Sequence, residues 1–253
     1  AAMTGDASYI TAINKIWENV VYTKLYLTGG IGARHAGEAF GDNYELPNRT
    51  AYCETCAAIA NVYWNHRMFL LHGDAGYIDV MERSLYNNVL SGVSLDGKLF
   101  FYPNPLESTG HDRQPWFGCA CCPSNICRFL ASVPGYMYAV RDNAVYVNLF
   151  VNSTADLQLG GKKVAVAQMT RYPWDGTIAL KVSSASGGQK FTLKVRIPGW
   201  AVNQPVPGTL YTALHPAEGK ITLSINGAPI DVKTDNGFAA IEREWKQGDV
   251  VQL

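Results

Sequence analysis

Apolar positions along the chain change period near its middle. Over the first 140 residues they recur every three to four positions, the spacing of amphipathic helices. Ser8 to Tyr22 places Ile10, Ile13, Trp17, Val20 and Val21 on one stripe. Thr50 to Leu71 reads as a second helix, with Cys56, Ile59, Ala60 and Tyr63 on one face. Gly76 to Leu90 reads as a third, with Ile78, Met81, Leu85 and Val89 inward and Gly92 just past its end. A fourth opens at Pro123, turns Ile126, Phe129, Leu130 and Val133 inward, and stops before Pro134. After Arg141 the texture becomes β-branched and alternating. Residues 145–151, 177–182, 191–197, 221–225 and 250–253 read as strands, and Asn226-Gly227 as a hairpin turn. Short strands set apart by Gly, Pro and Asn predict an antiparallel sandwich. The expected division is a helical part over 1–140 and a β-sandwich over 141–253.

Long loops join the predicted helices. Gly29-Gly30-Ile31-Gly32 follows Lys24 to Thr28 and invites a phosphate-binding reading. That reading fails, because His35 stands where the third glycine should be and no Gly-Lys-Ser/Thr follows. A turn that lets the backbone pass close to a neighbour is the expectation. Arg34 to Pro47 is irregular, polar and acidic, a candidate wall of a site. Glu38 within it, taken alone, reads as a solvated surface carboxylate.

The 253 residues are 47% hydrophobic and 17% charged, enough for one large or two medium domains with a sizeable core. Lys+Arg and Asp+Glu are both 21, so the net charge is zero. That balance points away from nucleic acid and from an anionic membrane surface as partners. No apolar run reaches transmembrane length. The first helix starts without a cap partner and the last strand run is cut short, so the chain reads as part of a longer protein.

Six cysteines at this length do not make a disulfide scaffold. They group as Cys53 and Cys56, then Cys119, Cys121, Cys122 and Cys127. The spacing suggests Cys122 as the N-cap before Pro123, which would put Cys121 and Cys122 where free N–H groups and the helix dipole favour a thiolate. Zinc takes four ligands, thiolates and an occasional carboxylate among them, and soft thiolates select it over magnesium or calcium. Glu54-Thr55-Cys56 adds a carboxylate and a thiol. Only Cys53-x-x-Cys56 has the spacing of a zinc knuckle, so the residues alone leave structural and catalytic roles both open. Cys53 and Cys127 are expected to pack as small hydrophobes. His66, His72 and His215 read as helix or loop histidines, and His111 with Asp112 as a lesser candidate beside the cysteine cluster.

Five motifs in order resemble one known family. They are Gly37-Glu38-Ala39-Phe40, Leu46-Pro47-Asn48, Tyr52-x-Glu54-Thr55-Cys56-Ala57, Phe101-Tyr102-x-Asn104-Pro105-Leu106-Glu107, and Cys119-x-Cys121-Cys122-Pro123-x-Asn125. Together with the later Arg196-Ile197-Pro198-Gly199-Trp200, they are similar to glycoside hydrolase family 127, the β-L-arabinofuranosidases, and its relative family 146. The resemblance implies part of an (α/α)6 barrel followed by a jelly-roll-like antiparallel β-sandwich, the sandwich being truncated or complete. It implies Zn2+ held by Glu54, Cys56, Cys121 and Cys122. It implies Cys121 as nucleophile and Glu38 as general acid/base in a retaining hydrolase that releases L-arabinofuranose. Tyr102 and His35 would line the sugar site.

The expected partner is therefore an oligosaccharide or glycan. The alternatives are a related enzyme for another plant pectin sugar, or a non-catalytic zinc-stabilised carbohydrate-binding protein. Part of a barrel exposes apolar helix faces, so self-association into a homo-oligomer is expected of this piece. Reduced thiols suit a bacterial cytoplasm, and a metal-held cluster also suits a periplasm.

Overall fold

The structure is a computed structural model that describes residues 1, 3–184 and 188–253. These form two compact units, one of residues 1–68, 79–131 and 204–213, the other of residues 69–78, 132–203 and 214–253. The described residues contain four α-helices and two β-sheets. No helix among them is long and apolar enough to cross a membrane.

The helices are α1 (Ser8–Thr23), α2 (Thr55–His72), α3 (Ala75–Ser84) and α4 (Cys121–Leu130). α1 buries Trp17, Val20 and Val21, while Tyr9 and Ile16 stay exposed. In the first unit Ile59, Val62, Met81, Val89, Ile126 and Phe129 are buried, as the helical period predicts. A buried polar chain runs through this core. Trp17 Nε1 donates to Asn65 Oδ1 (2.8 Å), and Asn65 Nδ2 to Asn61 Oδ1 (2.9 Å). Asn61 Nδ2 donates to Ser84 Oγ (3.0 Å), and Ser84 Oγ to the Gly29 carbonyl (2.8 Å). Each of these donors finds an acceptor, so the run orients the helices at little desolvation cost.

Three boundaries differ from the sequence reading. α2 starts at Thr55, five residues later than expected. The chain before it is extended, and its backbone bonds go to neighbouring segments rather than to its own turns. α3 gives way to a π-helical turn at Leu85–Val89 and a 3-10 turn at Leu90–Gly92, so the expected helix over 76–90 is regular only to Ser84. α4 starts at Cys121, with Ala120 as the flanking residue, so Cys122 is not the N-cap. Pro123 is tolerated there because first-turn N–H groups have no intrahelical acceptor. The glycine loop does pass close to neighbours. Gly29 has φ +82°, and a Cβ on it would come within 2.5 Å of the Ser84 backbone nitrogen.

In the second unit the strands are β1 (Tyr138–Arg141), β2 (Ala144–Val147), β3 (Ser153–Leu159), β4 (Lys162–Thr170), β5 (Ile178–Ser184) and β6 (Gln189–Arg196), followed by β7 (Leu223–Ile225), β8 (Ala228–Ile230), β9 (Thr234–Asp235), β10 (Phe238–Trp245) and β11 (Asp249–Gln252). One sheet has the order β1-β2-β6-β10-β9, the other β3-β4-β5-β11-β7-β8. The expected all-antiparallel sandwich needs one correction, since β2 pairs with β6 in parallel. Val145, Val147, Phe191, Leu193, Val195 and Trp245 of the first sheet share one core with Leu159, Val164, Val166, Leu180, Val182 and Val251 of the second. The run expected at 145–151 ends as a strand at Val147. Beyond it the buried Asn148 turns its N–H to the Met137 carbonyl (2.8 Å). Arg196 is fully buried, with Nε donating to the Asn148 carbonyl (2.6 Å) and its guanidinium over the Phe150 ring. Asn226-Gly227 joins β7 to β8, as its turn chemistry predicts.

Candidate metal and active centre

Three extended segments of the first unit lie side by side and carry the site. The Cys53 N–H donates to the Gly32 carbonyl (2.8 Å) and the Tyr52 N–H to the Ala33 carbonyl (3.3 Å). On the other flank the Thr55 N–H donates to the Tyr102 carbonyl (3.0 Å) and the Asn104 N–H to the Tyr52 carbonyl (2.9 Å). Between these bonds Cys53 adopts φ +41°, a region that L residues rarely enter. Two amides hold it there. Asn104 Nδ2 (2.9 Å) and Asn88 Nδ2 (3.3 Å), the latter from the π-helical turn, both donate to the Cys53 carbonyl. Strain of this kind persists where surrounding bonds over-determine it, and it gathers at functional sites. Here it delivers Glu54 and Cys56 into a common cluster at the start of α2.

α4 supplies the other half. Glu54, Cys56, Cys121 and Cys122 offer one carboxylate oxygen and three sulfurs, all within 4.8 Å of one another. Cys56 Sγ lies 3.5 Å from Cys121 Sγ, and Cys121 Sγ 3.8 Å from Cys122 Sγ. Glu54 Oε1 is 3.4 Å from both Cys121 Sγ and Cys122 Sγ. Tetrahedral zinc with Zn–S bonds near 2.3 Å sets its sulfurs about 3.8 Å apart, so these separations fit that ion. The cysteines here are free thiols.

The surroundings shift the three thiols in different directions. Hydrogen bonding from Cys122 draws the Cys56 thiol down to about 7, against the opposing effect of burial, with help from Asn125 and Cys121. The Cys56 interaction and burial push Cys122 upward. Burial pushes Cys121 up to about 11, although Tyr102 and Cys122 pull the other way. The expectation that a helix start alone makes Cys121 a thiolate is therefore corrected: without a cation, desolvation wins. A bound cation reverses this, because a coordinating thiol loses its proton outright. Glu54 and Cys122 are buried, whereas Cys56 and Cys121 are partly exposed.

Aromatic side chains link this cluster to the Arg34–Pro47 loop. Tyr102 Oη is 2.9 Å from Cys121 Sγ. The Tyr102 and Tyr52 ring centroids are 6.4 Å apart, and Tyr52 and His35 4.6 Å. The Tyr52 hydroxyl donates to Glu38 Oε1 (2.8 Å). The Arg34 and Ala39 backbones exchange two 3.1 Å hydrogen bonds, closing a tight turn over His35 to Glu38. Gly37 (φ +72°) and Glu38 (φ +50°) take the left-handed conformations the turn needs. Glu38 is the non-glycine member of that pair, so its carboxylate is held at a backbone cost, and Glu38 and His35 are both exposed. Arg34 anchors the turn to Glu45 and to Asp42 (3.1 Å).

The remaining candidates fall elsewhere. Cys53 is buried and packs as expected, with burial pushing its thiol up to about 12. Cys127 and Cys119 are exposed, so Cys127 does not pack as a small hydrophobe. His111 stacks on Phe101 (4.8 Å, 10°), with Nε2 3.1 Å from the Pro103 carbonyl. His72 stacks on Tyr77, and Glu107 pairs with Arg49. Tyr52 stood out in the sequence only as part of a motif. Its hydroxyl contact to Glu38 has no signal in composition or spacing.

The helical unit thus carries four donors, three of them thiols, whose spacing could hold a metal ion. The description "Beta-L-arabinofuranosidase, GH127 catalytic domain" matches residues 1–135, and "GH127 middle domain" matches residues 144–253. The chain belongs to glycoside hydrolase family 127. It is 37% identical to a non-reducing end β-L-arabinofuranosidase of Bifidobacterium longum subsp. longum, over 93% of this chain and 35% of that protein. It is 58% identical to a solved GH127 β-arabinofuranosidase, with a TM-score of 0.96 over 100% of this chain and 40% of that one. A solved GH127 β-L-arabinofuranosidase from Geobacillus stearothermophilus T6 is 43% identical, with a TM-score of 0.88 over 100% of this chain and 39% of that one. The chain thus spans a little over a third of the length of these relatives.

Proposed function

We propose that this chain carries the nucleophile, acid/base and metal ligands of a retaining β-L-arabinofuranosidase acting on oligosaccharide or glycan substrates. The four-donor cluster with Tyr102 against the partly exposed Cys121 sulfur supports this reading best. In the whole protein, residues 1–140 would form part of an (α/α)6 barrel and 141–253 a β-sandwich. Glu54, Cys56, Cys121 and Cys122 would hold Zn2+, which supplies positive charge that keeps the thiols ionised and makes sulfur a better leaving group.

The chemistry of the chain's own groups is then as follows. Glu38, protonated, donates to the glycosidic oxygen as its bond to the anomeric carbon breaks. Cys121 Sγ attacks that carbon from the opposite side, giving a thioglycoside in place of the glycosyl ester of ordinary retaining enzymes. Glu38, now a carboxylate, takes a proton from water as the water oxygen displaces sulfur. Two inversions return the starting configuration. Tyr102 steadies the sulfur in both steps by donating its hydroxyl hydrogen. His35, its ring 4.6 Å from that of Tyr52 and tilted by 58°, lines the sugar side of this path.

The partial exposure of Cys121 favours this reading over a closed structural zinc in a carbohydrate-binding protein, which would bury all four ligands. Cys121→Ser and Glu38→Gln in the full-length protein, assayed on an aryl β-L-arabinofuranoside, test it. Each should lower kcat by about a thousandfold or more, the scale seen when a nucleophile or acid/base is removed. Near-normal turnover in both variants would refute the assigned roles. Equal loss on this sugar, with retained activity on another pectin sugar, would move the substrate assignment within the family.

A further inference from the structure

We infer that Tyr52 is a positioning residue that decides which oxygen of Glu38 carries the catalytic proton. The inference rests on the reading of Glu38 as the acid/base and adds a residue to it. The Tyr52 hydroxyl donates to Glu38 Oε1 at 2.8 Å. A carboxyl oxygen that accepts this bond is the poorer place for a proton, because in the acid form the carbonyl oxygen is the stronger acceptor and the bond therefore favours the proton on the other oxygen. The acid form of Glu38 therefore holds its proton on Oε2, and Oε2 is the oxygen that serves the glycosidic bond and later the water.

The placement of Tyr52 suits this task. Its residue is only 8% exposed, and its backbone is tied on both sides, by its N–H to the Ala33 carbonyl and by its carbonyl to the Asn104 N–H. The His35 ring lies 4.6 Å from its own and the Tyr102 ring 6.4 Å. The ring thus has little freedom, and the hydroxyl sits at a fixed point beneath the turn that carries Glu38. Glu38 needs that point. It is exposed, and it sits at φ +50° in a four-residue turn. A proton donor that must meet a leaving oxygen within hydrogen-bond reach loses rate steeply when its carboxyl group wanders.

A positioning role for the acid has a distinctive kinetic signature. Cleavage of a p-nitrophenyl glycoside needs little protonation of the departing oxygen, whereas an alkyl or sugar leaving group needs nearly full proton transfer. Tyr52→Phe keeps the ring and removes one oxygen. In the full-length protein its kcat/KM loss should be at least about tenfold greater on methyl β-L-arabinofuranoside or an arabinose disaccharide than on the p-nitrophenyl glycoside. That is the scale of one hydrogen bond to a charged group. Zinc per chain and melting temperature are measured alongside. Tyr52→His, which keeps a ring and an N–H donor, should recover part of the loss on the poor leaving groups.

A loss equal across all leaving groups, or no loss at all, would overturn the inference, as would a Tyr52→His variant that recovers nothing. Glu38→Gln measured on the same series separates the two claims. If that variant shows no leaving-group dependence, Glu38 is not the acid and the underlying reading fails. If Glu38→Gln shows it and Tyr52→Phe does not, only the role of Tyr52 fails.

Discussion

Tyr102 Oη and Cys121 Sγ stand 2.9 Å apart, brought together across nineteen residues by the pairing of residues 101–104 with the segment ahead of α2. The contact ties an aromatic hydroxyl to a partly exposed sulfur of the four-donor cluster. A hydroxyl that donates to an ionised sulfur is a charge-assisted bond, about twice as strong as a neutral one. Tyr102→Phe should therefore reduce kcat/KM by about ten- to a hundredfold. Bound zinc should stay unchanged, because Tyr102 is not among the four donors. Steady-state kinetics with metal analysis of the same preparation checks both halves.

The four donors bring three thiols and a carboxylate within 4.8 Å of one another, an arrangement that a cation stabilises and its removal leaves to thiol protonation. Metal that binds only the folded state adds stability by mass action, about 2.7 kcal/mol at a hundred times its dissociation constant. Chelation should lower the melting temperature by about 5 °C or more and abolish turnover, with both restored by added zinc. Cys122→Ala should give the same low melting temperature without recovery on zinc addition. Calorimetry with and without chelator measures this, and an unchanged melting curve would speak against a resident ion.

Glu45 supports the turn that carries Glu38, through Arg34. The Arg34 hydrogen bond first, and then the Asp42 N–H, hold the Glu45 carboxyl down to about 2, from an ordinary value of 4.5. The folded value lies below the unfolded one. The stability that Glu45 adds is therefore complete above the unfolded value and disappears as pH falls through about 2. Glu45→Gln should be less stable than the parent at pH 6, and the gap should close steadily from about pH 5 towards pH 2. Denaturant midpoints of the two proteins across that range check the slope. The pair is exposed, so the gap should also shrink at high salt.

Much of the fold is legible in the periodicity, and the exceptions have physical causes. Residues 50–54 carry a helical pattern, yet bonds to Ala33, Gly32 and Asn104 and two amides on the Cys53 carbonyl hold the segment extended. Tertiary hydrogen bonding overrides propensity there. β3 and β10 escaped notice because Asp156, Gln158, Glu242 and Glu244 on their exposed faces dilute the apolar alternation. Gly160-Gly161, both at positive φ, was the hairpin signal that joins β3 to β4. At the site, spacing alone singled out Cys53-x-x-Cys56, and Cys53 proves to be packed beside Gly30 rather than in the cluster. The grouping of Glu54 and Cys56 with Cys121 and Cys122 came from family resemblance, since 65 residues separate Cys56 from Cys121. No local pattern encodes a contact over that distance.

The central claim is that the sulfur of Cys121 bonds to the sugar during turnover. Its most direct test is acid-quenched mass spectrometry of the full-length protein mixing with an activated β-L-arabinofuranoside, followed by peptide mapping. The account predicts one anhydropentose unit on the peptide containing Cys121, absent in Cys121→Ser, and a released sugar of retained configuration. An adduct on a carboxylate instead, or rapid turnover with inverted product and no adduct, would contradict it.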